Sequence, residues 1–162
     1  GSEMCIRDST VTPAVYRIET AHTDSGDIPA WDTYPAKYEF FMPLTAKKAG
    51  LLLRSLEFRV KGYVPGTMRT VLRKYGSTTA LADKFTDIVR GYNDVVLDMG
   101  SIALEKGVEY QLYFAASNNF YPPSVQPSWV AVNDCIDIAH GSAYYGDDTT
   151  LIFSGTVVLQ ET

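Results

Sequence analysis

The feature that most constrains this chain is a two-residue alternation of apolar and polar side chains, broken each time it recurs by Gly, Pro, Asn or Asp. Leu56, Phe58 and Val60 alternate with Glu57, Arg59 and Lys61. Successive side chains of a strand point to opposite faces, so such a run buries one face and leaves the other to water. Val95, Leu97 and Met99 alternate in the same way with Asp94, Val96 and Asp98, following a turn at Gly91-Tyr92-Asn93. Tyr110, Leu112 and Phe114 alternate with Glu109, Gln111 and Tyr113. Further strands are predicted at residues 14–20, 37–44, 67–75, 81–89, 129–138 and 151–160, which makes about nine at the spacing of an all-β, antiparallel β-sandwich. Residues 46–53 are the one helical candidate; the segment is short and contains Gly50, so it reads as a turn into a strand. Residues 21–36 and 117–128 read as long loops, where binding residues concentrate.

The composition agrees with a folded chain. Eleven Tyr and seven Phe supply a core, while charged residues, at 20%, are near the globular average. Residues 10–162 have the length of a single domain with a real core. No apolar run reaches the roughly eighteen residues a membrane helix needs, so membrane insertion is not expected. A pI near 4.9 without a recognisable binding motif argues against nucleic acid.

Residues 1–9 are set apart from this domain. Gly1-Ser2 has the form of a cloning scar, and Met4-Cys5-Ile6-Arg7-Asp8-Ser9 resembles the translated mosaic-end adapter of sequencing libraries. That resemblance implies a metagenomic source, a segment never selected for folding, and natural sequence lost upstream of Thr10. With Cys5 discounted, Cys135 is expected to be a lone, small hydrophobe and no disulfide framework is expected.

The middle of the chain has a recognisable order. A strand at 51–62 leads through Pro65-Gly66 to Thr67-Met68-Arg69-Thr70-Val71-Leu72-Arg73-Lys74-Tyr75. Then come Gly91-Tyr92-Asn93-Asp94-Val95-Val96-Leu97, Ile102-Ala103-Leu104-Glu105-Lys106-Gly107 and Tyr110-Gln111-Leu112-Tyr113-Phe114. This succession resembles the jelly-roll modules appended to bacterial surface proteins, secreted glycoside hydrolases and phage tail proteins. The resemblance implies a jelly-roll-like sandwich that binds carbohydrate or acts as a spacer. It transfers no binding residues, because the ligand sites of such modules lie in variable loops.

Motifs for chemistry are absent: there is no G-x-S-x-G elbow, no phosphate loop and no H-E-x-x-H pair. His22 and His140 have no ligand-spaced neighbour. Asp134 with Asp137, or Asp147 with Asp148, supplies carboxylates for glycoside cleavage only if the fold sets them across a cleft. No enzyme activity is therefore expected. No cofactor is called for either, apart from a structural calcium that Asp24, Asp27, Asp32, Asp134 and Asp147 would suit as hard oxygen ligands.

Loop aromatics are the more useful signal, because sugars stack their C–H faces on rings while neighbouring amides bond their hydroxyls. Trp31, Tyr34, Tyr121 and Trp129, with Asn119 and Asn133 as polar partners, are the candidate ligand-binding residues. Between residues 47 and 90 there are ten Lys or Arg against three Asp or Glu, and Arg69 and Arg73 share a strand face, so one outer sheet surface is expected to be basic. The expectation is a non-catalytic carbohydrate-binding or receptor-binding module of a larger secreted, cell-surface or virion protein, its partner a glycan or surface receptor. The alternatives are a structural phage tail or surface-layer domain that works by oligomerising or spacing and has no small ligand, and a minor glycoside hydrolase or lyase.

Overall fold

The computed structural model describes residues 13–22, 37–125, 129–130, 133–138, 142–143 and 152–162. In chain order their strands are β1 (Val15–Glu19), β2 (Ala21–His22), β3 (Lys37–Ala46), β4 (Leu51–Gly62), β5 (Gly66–Lys74), β6 (Ala82–Ile88) and β7 (Gly91–Leu104). They continue with β8 (Glu109–Tyr121), β9 (Ser124–Val125), β10 (Trp129–Val130), β11 (Ile136–Asp137), β12 (Ser142–Ala143), β13 (Ile152–Phe153) and β14 (Gly155–Glu161). The protein is all-β, as the alternation requires, and every strand ladder is antiparallel. Among the described residues no helix is long and apolar enough to cross a membrane.

The main sheet has ten strands and curls over on itself into a sandwich-like half-barrel. One half runs β1-β14-β4-β7 and the other β6-β5-β8-β3, with β11 and β12 on the outer edge of β3. A single residue pair, Lys61 with Tyr121, joins the two halves through β4 and β8. The small pairs β2 with β10 and β9 with β13 stand apart from this sheet.

Several strands differ in length from the sequence reading. β7 begins at Gly91 and continues to Leu104, with Gly91 and Gly100 at positive φ angles (96° and 74°); its pairing with β4 runs from Gly91 to Asp98 and resumes at Ile102. β8 continues through 117–121, which the polar composition had assigned to a loop. The strand expected at 129–138 is instead two short pieces flanking a turn at Asn133, and that expected at 151–160 is broken at Ser154.

A bulge in β4 lets one strand serve the core along its whole length. Leu51 and Leu53 are buried at odd positions, whereas Leu56, Phe58 and Val60 are buried at even ones. Arg54 makes the change of parity possible: β14 pairs Leu53 with Leu159 and Ser55 with the adjacent Val158, so Arg54 is an extra residue without an opposite number. β7 adjusts at the same place, pairing Leu53 with Ile102 and Ser55 with Asp98, and Arg54 bonds to the Ser101 hydroxyl.

Phe58 of β4 and Phe114 of β8 meet between the halves, edge to face with centroids 5.4 Å apart. Phe153 lies 6.0 Å from each, stacked on Phe114 and edge-on to Phe58. All three are buried, and they continue into Phe40, Met42, Leu112 and Leu56 as one cluster.

Cys135 corrects the sequence reading. It is fully buried and disulfide-bonded rather than a lone thiol. The expectation followed from discounting Cys5, the chain's one other cysteine, which lies outside the described residues. Because a disulfide limits the unfolded chain, reductant should lower the stability by about 2–5 kcal/mol in denaturant titrations. Equal midpoints with and without reductant would show that the bond contributes nothing.

Two buried threonines provide a second test of the core. Thr20 Oγ1 donates to Phe153 O (2.5 Å) and accepts from Gly155 N (3.1 Å), tying the end of β1 to the start of β14. Thr70 Oγ1 is equally buried but has no partner among the described residues. An unpaired buried hydroxyl is a cost, whereas a paired one is not. Thr20→Val should lose about 1–3 kcal/mol and Thr70→Val should gain up to about 1 kcal/mol. Comparable losses in both variants would mean that Thr70 has a partner after all.

Candidate functional site

One end of the sandwich is built by close backbone approach. Gly62 pairs with Gly91 and bridges Arg90, and a Cβ on Gly62 would come 2.4 Å from Val89 O. Only glycine allows the 88–91 segment to lie this near. Asn93 secures the same segment: its Oδ1 accepts from Val89 N (3.0 Å), and its Nδ2 donates to Val89 O (2.9 Å) and Gly91 O (3.0 Å).

β8 closes the other side. Its register on β3 jumps from Ala115 opposite Glu39 to Phe120 opposite Lys37, so residues 116–119 form a bulge. That bulge grips the turn between β4 and β5: Asn118 Nδ2 donates to Pro65 O (3.0 Å), and Ser117 Oγ accepts from Thr67 N (3.1 Å). Between the turn and the bulge lies a shallow recess, with Val64, Ile88 and Phe120 as apolar lining and Thr67 and Asn119 as polar lining. The Asn119 amide has no hydrogen-bond partner among the described residues, in contrast to Asn118 and Asn93.

Beside the recess, three residues stand in register across the junction of the two halves: Tyr92 on β7, Lys61 on β4 and Tyr121 on β8. The Lys61 ammonium lies 5.4 Å from the Tyr92 ring centroid and 5.6 Å from that of Tyr121. Arg59, one step along the face, also approaches Tyr92 (5.9 Å) and bonds Asp94 (2.7 Å), holding that carboxyl below the usual carboxylate range. Tyr63 is exposed on the adjoining turn.

Of the residues expected to bind a ligand, the structure brings Asn119 and Tyr121 together at this rim. The backbone of Trp129 is tied to the same end: β10 pairs with β2, Ala21 O accepts from Ser154 Oγ, and Ser154 N donates to Pro123 O, two residues beyond Tyr121. Asn133 is elsewhere. It adjoins β11, which pairs with the Ala46 end of β3, nine residues or roughly 30 Å from the Lys37 end that faces Phe120. Its buried Oδ1 accepts from Cys135 N (2.8 Å) and Ile136 N (2.9 Å), which makes it a turn former. Trp31 and Tyr34 lie outside the described residues, as do Asp24, Asp27, Asp32 and Asp147 of the calcium expectation. Among the described residues no three of His, Cys, Asp or Glu gather as metal ligands.

The sequence reading missed Lys61, Tyr92 and Tyr63. Tyr92 and Tyr63 carry the signal of an aromatic beside Gly at a break in alternation, whereas Lys61 is marked only by its register.

The basic face expected around Arg69 and Arg73 is internally matched. Arg69 makes two bonds to Asp83 (2.8 and 2.6 Å) and lowers the pKa of that carboxyl, and both Arg73 nitrogens reach Gln111 Oε1. On the same face the Tyr113 ring packs tilted against that of Phe41, centroids 4.8 Å apart, and its hydroxyl donates to Glu39. Burial, and then the bond to Glu39, push the Tyr113 pKa up to about 12.

No protein-family model matches the chain, and a search of curated proteins finds no match to it.

The Tyr113 shift makes stability depend on alkaline pH. The unfolded phenol titrates near 10.0 and the folded one near about 12, so the contribution is intact below the first value and lost as pH rises to the second. Ultraviolet titration should show one late-ionising tyrosine that Tyr113→Phe removes, together with a smaller loss of stability above pH 10 in the variant. Superimposable curves for the two proteins would refute this.

Proposed function

We propose that this protein is a non-catalytic carbohydrate-binding module, part of a larger secreted or virion surface protein. The observation that carries the reading is the row Tyr92, Lys61 and Tyr121 beside a recess containing the unpartnered Asn119. Rings offer stacking faces, and the amide offers both a donor and an acceptor to hydroxyls. The recess is shallow rather than an enclosing pocket, so the rim suits a chain lying across the surface. Among the described residues its lining contains no carboxylate to serve as the acid or base of a glycosidase.

A glycan array should return at least one ligand of micromolar-to-millimolar affinity. Tyr121→Ala and Tyr92→Ala should each weaken it roughly tenfold, about 1.4 kcal/mol, with an unchanged melting temperature. Phe85→Ala, which removes an exposed ring on β6, is the neutral control. A blank array, or ring variants that bind like the parent, would end this reading.

A further inference from the structure

We propose that the sugar taken by this rim carries an N-acetyl group, which the recess receives; the inference rests on the glycan reading of the same site and names its substrate class. The recess adjoins the ring row directly. Gly62 and Phe120, which line it, are the chain neighbours of Lys61 and Tyr121, and Asn119 stands two residues from Tyr121, about 7 Å along a strand. A substituent on a sugar stacked against Tyr121 is therefore within reach of the Asn119 amide. Val64, Ile88, Ala116 and Phe120 make most of the recess wall apolar. The Asn119 amide and the Thr67 hydroxyl also line it, and neither has a hydrogen-bond partner among the described residues.

An acetamido group matches that combination and a hydroxyl does not. Its methyl is small enough for a shallow, apolar recess, and its carbonyl accepts from Asn119 Nδ2 while Oδ1 remains for a neighbouring sugar hydroxyl. A sugar with a hydroxyl in the same place sets a polar group against Val64 and Phe120, where it gives up water without a full set of new bonds. The half-buried Asn119 sharpens the choice, because a group that displaces solvent from an amide has to replace the bonds lost. The acetamido group is neutral, so its recognition depends neither on Lys61, which is engaged with its two flanking rings, nor on Asp87, opposite Thr67 on β6.

The experiment titrates neutral oligosaccharides in pairs that differ only in acetamido against hydroxyl: chitohexaose with cellohexaose, and N,N′-diacetyllactosediamine with lactose. The acetamido member of at least one pair should bind roughly tenfold more tightly, about 1.4 kcal/mol. Asn119→Ala should bring that pair level, whereas Tyr121→Ala should weaken both members alike and keep their ratio. If Asn119→Ala unfolds in a thermal melt, Val64→Ser, at an exposed lining position, carries the test with the same expected levelling. Equal binding within both pairs overturns the acetamido inference and leaves the glycan reading standing. A preference that survives the folded variants also overturns it, as does equal competition by N-acetylglycine methylamide, which would assign the recess to a polypeptide. If neither pair binds, the glycan array decides: ligands confined to acetamido sugars support the inference, and ligands lacking the group overturn it. A blank array with no binding in either pair removes both readings.

Discussion

Phe58, Phe114 and Phe153 meet where the two halves of the sheet face each other, and that contact aligns β4 and β8, which among the described residues share a single residue pair. Within each half the strands are held by ladders of hydrogen bonds. Between β4 and β8, among the described residues, only Lys61 and Tyr121 pair, so their relative position depends on how the rings interlock. A one-residue slip of either strand would turn its ring to solvent, and such a slip is costly in a core of this density. The same alignment sets Lys61 between Tyr92 and Tyr121. The rim is thus a consequence of core packing a few residues away.

The alternating runs around Leu56, Val95 and Tyr110 made the fold class legible, since each names a buried face without reference to its neighbours. The bulge was not legible, because Leu51 to Leu53 and Leu56 to Val60 read as two patterns in different phases. Only the partner strands show that Arg54 is the residue left over. The far end of β8 was hidden for a related reason. Ser117, Asn118 and Asn119 have the composition of a loop, yet bulging away from β3 lets these polar residues stay within a strand and grip the neighbouring turn. Cys135 was misread through an argument about another residue: discounting Cys5 removed the one available partner from consideration.

At the candidate site, residue type was legible and role was not. Asn118, Asn119 and Asn133 are equivalent in composition. Asn118 holds a turn, Asn133 shapes one about 30 Å away, and Asn119 alone of the three presents an unpartnered amide to the recess. Buried or half-buried amides are first used to satisfy nearby backbone, and which of them remain available depends on distances the sequence does not contain. Lys61 illustrates the limit further. It belongs to an ordinary alternating strand, and its position between two rings arises from cross-strand register on both sides.

Placing the site on strand ends rather than long loops changes what binding costs. A loop that orders around a ligand gives up backbone freedom at the moment of association, whereas Tyr92, Lys61 and Tyr121 stand on backbone already fixed by ladders and by Asn93 and Asn118. Tyrosine adds large contact area with only two side-chain torsions to restrain. A shallow surface has little buried area to offer, so under the proposed function a rigid arrangement is what would let a few rings hold a ligand with useful affinity. The glycines serve this rigidity as much as the rings do. At Gly62 any side chain would collide with Val89 O and push the 88–91 segment away, and with it the backbone that sets Tyr92 beside Lys61.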